Sequence, residues 1–442
     1  MLNTPQQPRV RWKPGIFSPI PTWTENPQIS VIESLCRRHL YPDTPLPVSL
    51  TITFLAEGAF NKLYTVSAST DSSDSPELKV YVFRVSLPVE PFYKTTSEVA
   101  TLAYIRRYTT IPVPEVIAHS ATVENELGFE WILMEKVHGV SLSEVWPHMA
   151  ISAKEEITEQ VASCVLQMRA LCRFDAIGSL YCQGALEEKE GVDVLDAKHD
   201  AYVIGPLVTS FFFVGGRRLR VRRNRGPYLN DHDYVLALTE VELEDMKLLK
   251  ESTEDAADYD KYMAEDVPDI VHATHQLQDL LPSIFCRPST PLGALPSTPS
   301  GASPDPPKGQ FVLCHHDLSL SNVIVDPATY KITGIVDWEC VGIIPTWGDT
   351  YPQFLVGPEA DEEPEPLADG ETDELLLETW DDWEKMRLRK VFDGVVGQCG
   401  DSGMQELKRE FREQLDMLGF SVRFVERWLK AHLDDGRLLV PN

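Results

Sequence analysis

The chain has 442 residues, of which 43% are hydrophobic and 9% aromatic, so it is long enough to fold around two or three substantial cores. Its formal net charge of −28 argues against a nucleic-acid or anionic-membrane partner, because such partners need clustered Lys and Arg. No apolar run approaches the roughly 20 residues needed to cross a bilayer. Eight scattered cysteines without a C-x-x-C pair fit reduced thiols in a cytoplasmic protein, with mitochondrial import as the minor alternative.

The beginning of the chain predicts a small sheet-forming unit. Residues 1–28 are rich in proline and are expected to be extended, and residues 29–40 have apolar positions at helical spacing. Alternation at 48–55 and again at 63–67 predicts two strands joined by the turn AEGAFNK, which contains Gly58 and Asn61. Such a strand–turn–strand could fold over phosphates and bind them with its backbone N–H groups. One glycine between two strands is, however, more often an ordinary hairpin turn.

A strand at 80–87 and a helix at 91–108 follow. Arg84 is the only cation inside the apolar run of that strand, and its planar guanidinium is suited to binding phosphate. Glu98 lies near the start of the helix, where it could pair with Arg84. A helix N-terminus also favours an acidic residue through the helix dipole, so both interpretations stay open.

The rest of the chain predicts a mainly helical unit. An apolar strand at 131–139 leads into it, and apolar spacing predicts helices at 155–172, 231–239, 256–281, 375–395, 404–418 and 421–433. The stretch 287–309 is rich in Pro, Ser and Thr and predicts a disordered insert, and 357–374 predicts an acidic loop. The arginine-rich stretch 217–225 is interpreted as a solvated hairpin or a partner of acidic helices, rather than as a contact for an anionic substrate.

Residues 311–339 place polar side chains where an apolar pattern would predict none. Asp317 and Asn322 are five residues apart on a loop between two apolar runs, and Asp337 ends the next strand. A carboxylate that accepts a hydroxyl proton, an amide oxygen and a second carboxylate can orient an alcohol and hold Mg²⁺ against nucleotide phosphates. The spacing H-x-D-x-x-x-x-N that begins at His315 is the kinase catalytic-loop pattern. A plain hairpin with polar turns is the alternative.

Two motifs, His315-His316-Asp317 and Asp337-Trp338-Glu339, resemble the aminoglycoside phosphotransferase and choline kinase-like family in its fungal form. The turn AEGAFNK, the connection IPVP at 111–114 and the segment FDAIGSLY at 174–181 are also similar to that family. The resemblance implies an α+β protein-kinase-like bilobal fold. Residues 29–138 would form a small antiparallel-sheet N-lobe that binds nucleotide, and 139–442 a mainly helical C-lobe that carries the catalytic and substrate sites.

The resemblance also implies ATP and Mg²⁺ as cofactors and a small-molecule hydroxyl acceptor as partner. By this resemblance, Asp317 would accept the hydroxyl proton, His315 would brace the loop, and Asn322 and Asp337 would hold the metal. Cofactor binding would fall to the following residues: Gly58, Asn61, Arg84, Glu98, and the backbone of Glu135 and Val137 against adenine.

Three functions remain open from the sequence. The leading hypothesis is a small-molecule phosphotransferase. A nucleotide-binding pseudokinase without turnover is the alternative, because Arg84 replaces the usual lysine and the glycine turn is minimal. A protein kinase is disfavoured, because no long activation segment follows Asp337. The acidic composition would suit a cationic, amine-bearing acceptor, but the acceptor itself cannot be read from the residues.

Overall fold

The computed structural model describes residues 9–13, 15, 19–43, 49–69, 79–187, 189, 192–197, 201–221, 225–251, 258–285, 310–359, 363–365, 374–397 and 403–434. The insert predicted at 287–309 lies outside these residues, as does most of the acidic stretch 357–374. None of the described helices combines the length and the apolar composition needed to cross a bilayer. All six described cysteines are free thiols.

The first part of the chain forms a sheet-based lobe. In chain order its elements are β1 (Val10–Lys13), β2 (Ile20–Trp23), α1 (Ile29–Leu40), β3 (Ser49–Glu57), β4 (Asn61–Ser69), β5 (Val80–Ser86), α2 (Tyr93–Tyr108), β6 (Val116–Ser120) and β7 (Glu130–Glu135). Strands β3 to β7 form one antiparallel sheet in the order β3-β4-β5-β7-β6. The short β1–β2 hairpin precedes it.

Both faces of this sheet are covered, because successive residues of a strand point to opposite faces. Phe83 of β5 packs in a core with Ile32 of α1, whereas its neighbour Val82 packs on the other face against Val99 of α2. The same alternation places Arg84 on the face covered by α2. Arg84 therefore faces α2 and not α1 because it is an even number of residues from Val82 along β5.

The second part of the chain is mainly helical. Its elements are β8 (Val140–Ser141), α3 (Leu142–Val145), α4 (Ile151–Leu171), β9 (Arg173–Phe174), β10 (Ser179–Cys182), β11 (Leu195–Asp196), β12 (Tyr202–Gly205), α5 (Asp231–Glu251), α6 (Asp258–Ile284), β13 (Phe311–Cys314), β14 (Val323–Val325), β15 (Ile332–Ile335), β16 (Gly342–Pro345), α7 (Glu374–Val396), α8 (Gly403–Met417) and α9 (Val422–Asp434). The helices α4, α5, α6, α8 and α9 share a large core with β13 and β15.

Short antiparallel sheets position the two segments that carry the predicted site residues. Strand β13 lies between β16 and β9, and β14 lies between β15 and β8. These pairings bring the β13–β14 loop and the segment after β15 to the edge of the sheet lobe. The predicted fold class, a small antiparallel-sheet lobe followed by a mainly helical lobe, is confirmed. The exact lobe boundaries remain predictions.

Two elements differ from the sequence-based expectation. Helix α5 runs to Glu251 instead of ending at Thr239. Its second half is dense in acids, but Glu242 and Asp245 are buried because they pair with arginines, so the acidic pattern does not mark the end of the helix. The N-terminal stretch forms the β1–β2 hairpin and packs on the sheet lobe, with the ring of Trp23 5.4 Å from that of Phe129.

Candidate active site

The loop between β13 and β14 carries the predicted catalytic residues. Asn322 Nδ2 donates to Asp317 Oδ2 at 3.0 Å and to the Asp317 carbonyl at 2.8 Å. Both partners can only accept a hydrogen bond, so the amide must present its nitrogen to Asp317 and leave its oxygen available to another ligand. Asp317 itself is exposed. These hydrogen bonds therefore hold the two ends of the loop together, and the Asp317 carboxylate and the Asn322 amide oxygen remain available to a ligand.

His315 braces this loop from below. Its Nε2 donates to the Val336 carbonyl at 3.1 Å, and its ring lies 4.8 Å from that of Trp338. Burial lowers the pKa of His315, and the bond to a carbonyl oxygen, which can only accept, requires a proton on Nε2. The Val336 amide in turn donates to the Asn322 carbonyl at 2.9 Å. These bonds fix the residue that precedes Asp337 to the catalytic loop.

Asp337 faces the buried ion pair of the sheet lobe. The side chains of Arg84 and Glu98 are 5% and 2% exposed and form a direct salt bridge. Arg84 Nη1 lies 3.8 Å from Asp337 Oδ1. Asp337 adopts a positive φ of 64°, a conformation that is costly for a non-glycine residue and concentrates at functional sites. The structure therefore brings Arg84, Glu98 and Asp337 together.

Glu339, two residues further on, binds a second cation. Lys94 Nζ lies 2.5 Å from Glu339 Oε2, and Asn61 Nδ2 donates to the same oxygen at 2.8 Å. Asn61 Oδ1 accepts from Ser86 Oγ at 2.7 Å and from Lys94 Nζ at 3.4 Å. Asn61 is therefore held by side chains from β5, α2 and the segment after β15, and it does not simply end a hairpin.

Simple periodicities explain why these groups meet. Arg84 and Ser86 are two apart on β5 and share one sheet face, and Lys94 and Glu98 are four apart on α2 and share one helix face. When that helix face lies on that sheet face, Glu98 meets Arg84 and Lys94 comes to the end of β5. Asp337 and Glu339 are also two residues apart, so Asp337 faces Arg84 while Glu339 faces Lys94.

The other predicted nucleotide residues lie at the two ends of β5. The glycine turn is exposed, the Gly58 amide donates to the Asn61 carbonyl at 2.9 Å, and a Cβ on Gly58 would meet no atom within 4 Å. Glu135 pairs with Tyr81 at the opposite end of β5. Within the described chain the Val137 amide has no acceptor, whereas the amides of its neighbours Glu135 and Lys136 donate to backbone carbonyls.

The phosphotransferase enzyme family model matches residues 51–389, which include both halves of this site. The chain belongs to this family. A subtelomeric hrmA-associated cluster protein of Aspergillus fumigatus is 32% identical over 318 residues, 69% of this chain and 60% of that protein. The altered inheritance of mitochondria protein 9 of Meyerozyma guilliermondii is 26% identical over 211 residues, 45% of this chain and 34% of that protein. The chain thus matches less than two thirds of the length of either relative.

Solved phosphotransferases resemble the chain at low identity. A thermostable mutant of aminoglycoside phosphotransferase APH(4)-Ia, in ternary complex with AMP-PNP and hygromycin B, is 14% identical, with 92% of this chain and 94% of that chain covered and a TM-score of 0.41. Spectinomycin phosphotransferase APH(9)-Ia in complex with ADP and spectinomycin is 11% identical, with 92% of each chain covered and a TM-score of 0.39.

A cavity of about 550 Å³ opens beside the β13–β14 loop of this family member, and His316 and Cys340 line it. Its charged lining comprises four arginines and four acids: Arg217, Arg218, Arg409, Arg412, Glu242, Asp245, Glu413 and Asp416. The lining is therefore balanced in charge although the chain as a whole is strongly acidic. It offers no excess negative charge to the amine-bearing acceptor that the composition suggested.

The arginine-rich stretch contributes to this lining through internal ion pairs. Arg217 Nε lies 2.5 Å from Asp245 Oδ1, and Arg218 Nη2 lies 2.5 Å from Glu242 Oε2. Arg225 pairs with Glu90 of the sheet lobe at 2.6 Å. The interpretation as partners of acidic helices is confirmed for Arg217 and Arg218, which pair with acids of α5, whereas the partner of Arg225 lies outside any helix. Arg222 and Arg223 lie outside the described residues.

The donor set at Asp337 suits a hard divalent cation. Burial and the neighbouring Glu339 carboxylate raise the pKa of Asp337 to about 7, although Arg84 opposes this shift. Burial also acts to raise the pKa of Glu339, but Lys94 and Arg84 outweigh it and hold the pKa below its usual value. Asp337 follows Val336, whose amide is bonded to Asn322, and a carboxylate and an amide oxygen are the kinds of ligand that Mg²⁺ prefers.

Sequence reasoning missed two charged residues of the site, Lys94 and Glu130. Lys94 is 1% exposed, and its spacing of four from Glu98 was the available signal. Glu130 holds the start of α2: its carboxylate accepts from the Phe92 amide at 2.8 Å and from Thr95 Oγ1 at 2.5 Å. No pattern in the sequence singles out Glu130, since it begins an otherwise apolar strand.

Proposed function

We propose that this family member is an ATP- and Mg²⁺-dependent phosphotransferase that moves the γ-phosphate to a hydroxyl group of a small molecule. The observation that carries the proposal is the linked arrangement of Asp317, Asn322 and Asp337. Two hydrogen bonds join Asn322 to Asp317, and another joins the Asn322 carbonyl to the residue before Asp337. These bonds support the proposal that one proton acceptor and two metal ligands would be held on one rigid unit, as phosphoryl transfer requires.

The chain's own residues would divide the work as follows. Asp317 accepts the hydroxyl proton and orients the acceptor, and His315 keeps the loop in place. Asn322 and Asp337 hold Mg²⁺, which when bound neutralises charge on the phosphates. Arg84 binds the phosphates, and its buried Nε has no hydrogen-bond partner among the described residues. Positioning and charge neutralisation account for most of the catalysis expected of such a site.

The two ends of β5 provide a nucleotide-sized span. Tyr81, which pairs with Glu135, and Arg84 are three residues apart, about 10 Å along a strand. That length is comparable to the separation between the base and the phosphates of an extended nucleotide. Adenine would bind the backbone of Glu135 and Val137, and the phosphates would lie under the Gly58 turn, where open space surrounds the glycine.

The acceptor would bind in the cavity beside the catalytic loop. The wall residue His316 is adjacent to Asp317 in the chain, and this adjacency supports the proposal that the acceptor hydroxyl reaches Asp317 from this cavity. Because the charged lining is balanced, neutral and zwitterionic alcohols belong in the substrate screen beside amino-alcohols. A peptide acceptor is disfavoured, since β16 begins five residues after Asp337 and returns at once to pair with β13. A cytoplasmic location stays the expectation.

Titration of ATP with and without Mg²⁺ tests the proposal directly. The wild type should bind ATP more tightly with Mg²⁺, and Asp337→Ala should lose that gain while it keeps metal-independent binding through the backbone of Glu135 and Val137. Asp326→Ala is the matched control, because Asp326 also follows a strand but only caps the turn at Thr329. Turnover is then measured by ADP release against a library of alcohols.

The same titration separates the proposal from the non-catalytic alternative. If wild-type ATP affinity is independent of Mg²⁺ and no alcohol stimulates ADP release, the chain is a nucleotide-binding protein without turnover. If Asp337→Ala retains the Mg²⁺ dependence, the metal assignment is wrong.

A further inference from the structure

Two layers of polar contacts join the sheet lobe to the segment after β15. In the first layer, Glu98 pairs with Arg84, which faces Asp337. In the second layer, Lys94 pairs with Glu339 at 2.5 Å, next to Asn61. The proposed function uses the first layer for phosphate and metal and assigns no role to the pair in the second.

The second layer is a built arrangement and not a surface ion pair. The side chain of Lys94 is 1% exposed and that of Glu339 11% exposed. The bonds leave Asn61 no freedom to rotate its amide, because Ser86 and Lys94 donate to its oxygen while its nitrogen donates to Glu339. Two buried charges are costly unless their remaining hydrogen-bonding capacity is satisfied, and here Asn61 supplies that satisfaction.

The location of this cluster connects three parts of the proposed nucleotide site. Asn61 begins β4 directly after the glycine turn, and Lys94 lies one helical turn before Glu98 on α2. Glu339 is two residues after Asp337, and the intervening Trp338 is buried and donates from Nε1 to the Ile335 carbonyl at 2.9 Å. The backbone between Asp337 and Glu339 is therefore pinned in the middle by the Trp338 side chain and at its end by the Glu339 carboxylate.

We propose that Lys94, Glu339 and Asn61 form an interlobe latch that positions Asp337 and the Gly58 turn for Mg²⁺-nucleotide binding. They are positioning residues: they act through Asp337 and the turn and do not touch the substrate. The inference rests on the proposed function. Partners that orient a metal ligand typically change metal affinity about 10- to 100-fold when they are removed, so the latch should affect Mg²⁺-ATP binding on that scale.

A double-mutant cycle tests the latch. Lys94→Met and Glu339→Met singly leave one buried charge without its partner, so both should unfold at lower urea concentration than the wild type. The double variant should recover most of that loss, because two unbranched apolar side chains replace the pair. Its KM for Mg²⁺-ATP should nevertheless stay about 10- to 100-fold above the wild-type value, with a similar loss of Mg²⁺-dependent ATP affinity by titration.

The pair Lys154–Glu384 is the matched control. It is also a lysine–glutamate ion pair with partly buried side chains, but it joins α4 to α7, away from the proposed site. The double variant Lys154→Met/Glu384→Met should show the same kind of coupling in urea and no change in KM for Mg²⁺-ATP. Glu339→Gln provides a shape-preserving second test, and it should raise the KM while the protein stays folded.

Three results would overturn the latch. The first is a Lys94→Met/Glu339→Met variant that regains both stability and the wild-type KM, which makes the pair purely structural. The second is a double variant as unstable as the two singles combined, which means the two residues are not coupled. The third is Glu339→Gln with wild-type Mg²⁺-ATP affinity. Failure of the proposed function is distinct, because the wild type would then show no Mg²⁺ dependence whatever the urea cycle gives.

Discussion

Glu130 should make the protein less stable as the pH rises. Its side chain is buried at the start of β7 and is 1% exposed. Burial raises its pKa from 4.5 to about 7, in spite of the hydrogen bonds from Thr95 and the Phe92 amide that favour the charged form. Between these two values the folded state keeps a proton that the unfolded chain has lost. Stability therefore falls as the pH rises through this window and is lowest above about 7.

The size of the effect follows from the same two values. One pKa unit corresponds to about 1.4 kcal/mol, so a rise from 4.5 to about 7 gives about 3 kcal/mol. Glu130→Gln removes the titration but keeps an oxygen for the Phe92 amide and a polar group beside the Thr95 hydroxyl. Relative to the wild type, Glu130→Gln should become more stable by about 3 kcal/mol between about pH 4 and about pH 8.

Urea unfolding of both proteins across this pH range measures the effect. The difference between the two curves isolates Glu130, since every other titrating group is common to both. Glu130→Ala is the control, because it loses both hydrogen bonds and should be less stable than Glu130→Gln at every pH. A difference between wild type and Glu130→Gln that stays constant with pH would refute the reasoning about the buried carboxylate.

Three further predictions concern the site and its frame. Asp317→Asn should abolish ADP release while ATP affinity and the urea midpoint stay near wild type, because only the proton acceptor is lost; wild-type turnover would contradict the role. Glu98→Ala should cost about 3–5 kcal/mol in urea unfolding, since it leaves Arg84 buried without its main partner, and Arg84→Met/Glu98→Leu should recover much of that loss. Gly139→Ala should destabilise by about 1–3 kcal/mol, because Gly139 has a φ of 119° and a Cβ there would lie 2.3 Å from the Val325 carbonyl; an unchanged urea midpoint would contradict this.

The sequence by itself predicted most of the longer elements and the loop that carries the candidate site. Helix α1 was predicted at its observed bounds, and strands β3, β4, β5 and β7 within a few residues, because apolar periodicity of two or near four is a local property of the chain. The spacing of His315, Asp317 and Asn322 is also local, so the sequence predicts this loop without knowledge of any tertiary contact. For Glu98 the sequence leaves open a pair with Arg84 or a helix-dipole role, and the structure shows the pair as a buried salt bridge.

Only the tertiary structure decided which buried polar groups meet. Glu339 and Lys94 are 245 residues apart, and Glu339 and Asn61 are 278 apart, so no local pattern could link them. The length of α5 was underestimated for the same reason, since its buried acids depend on arginines more than twenty residues upstream. A charged residue is predicted to be exposed unless its partner is known, because an unpaired charge is costly to bury. That partner is determined only when distant segments pack together.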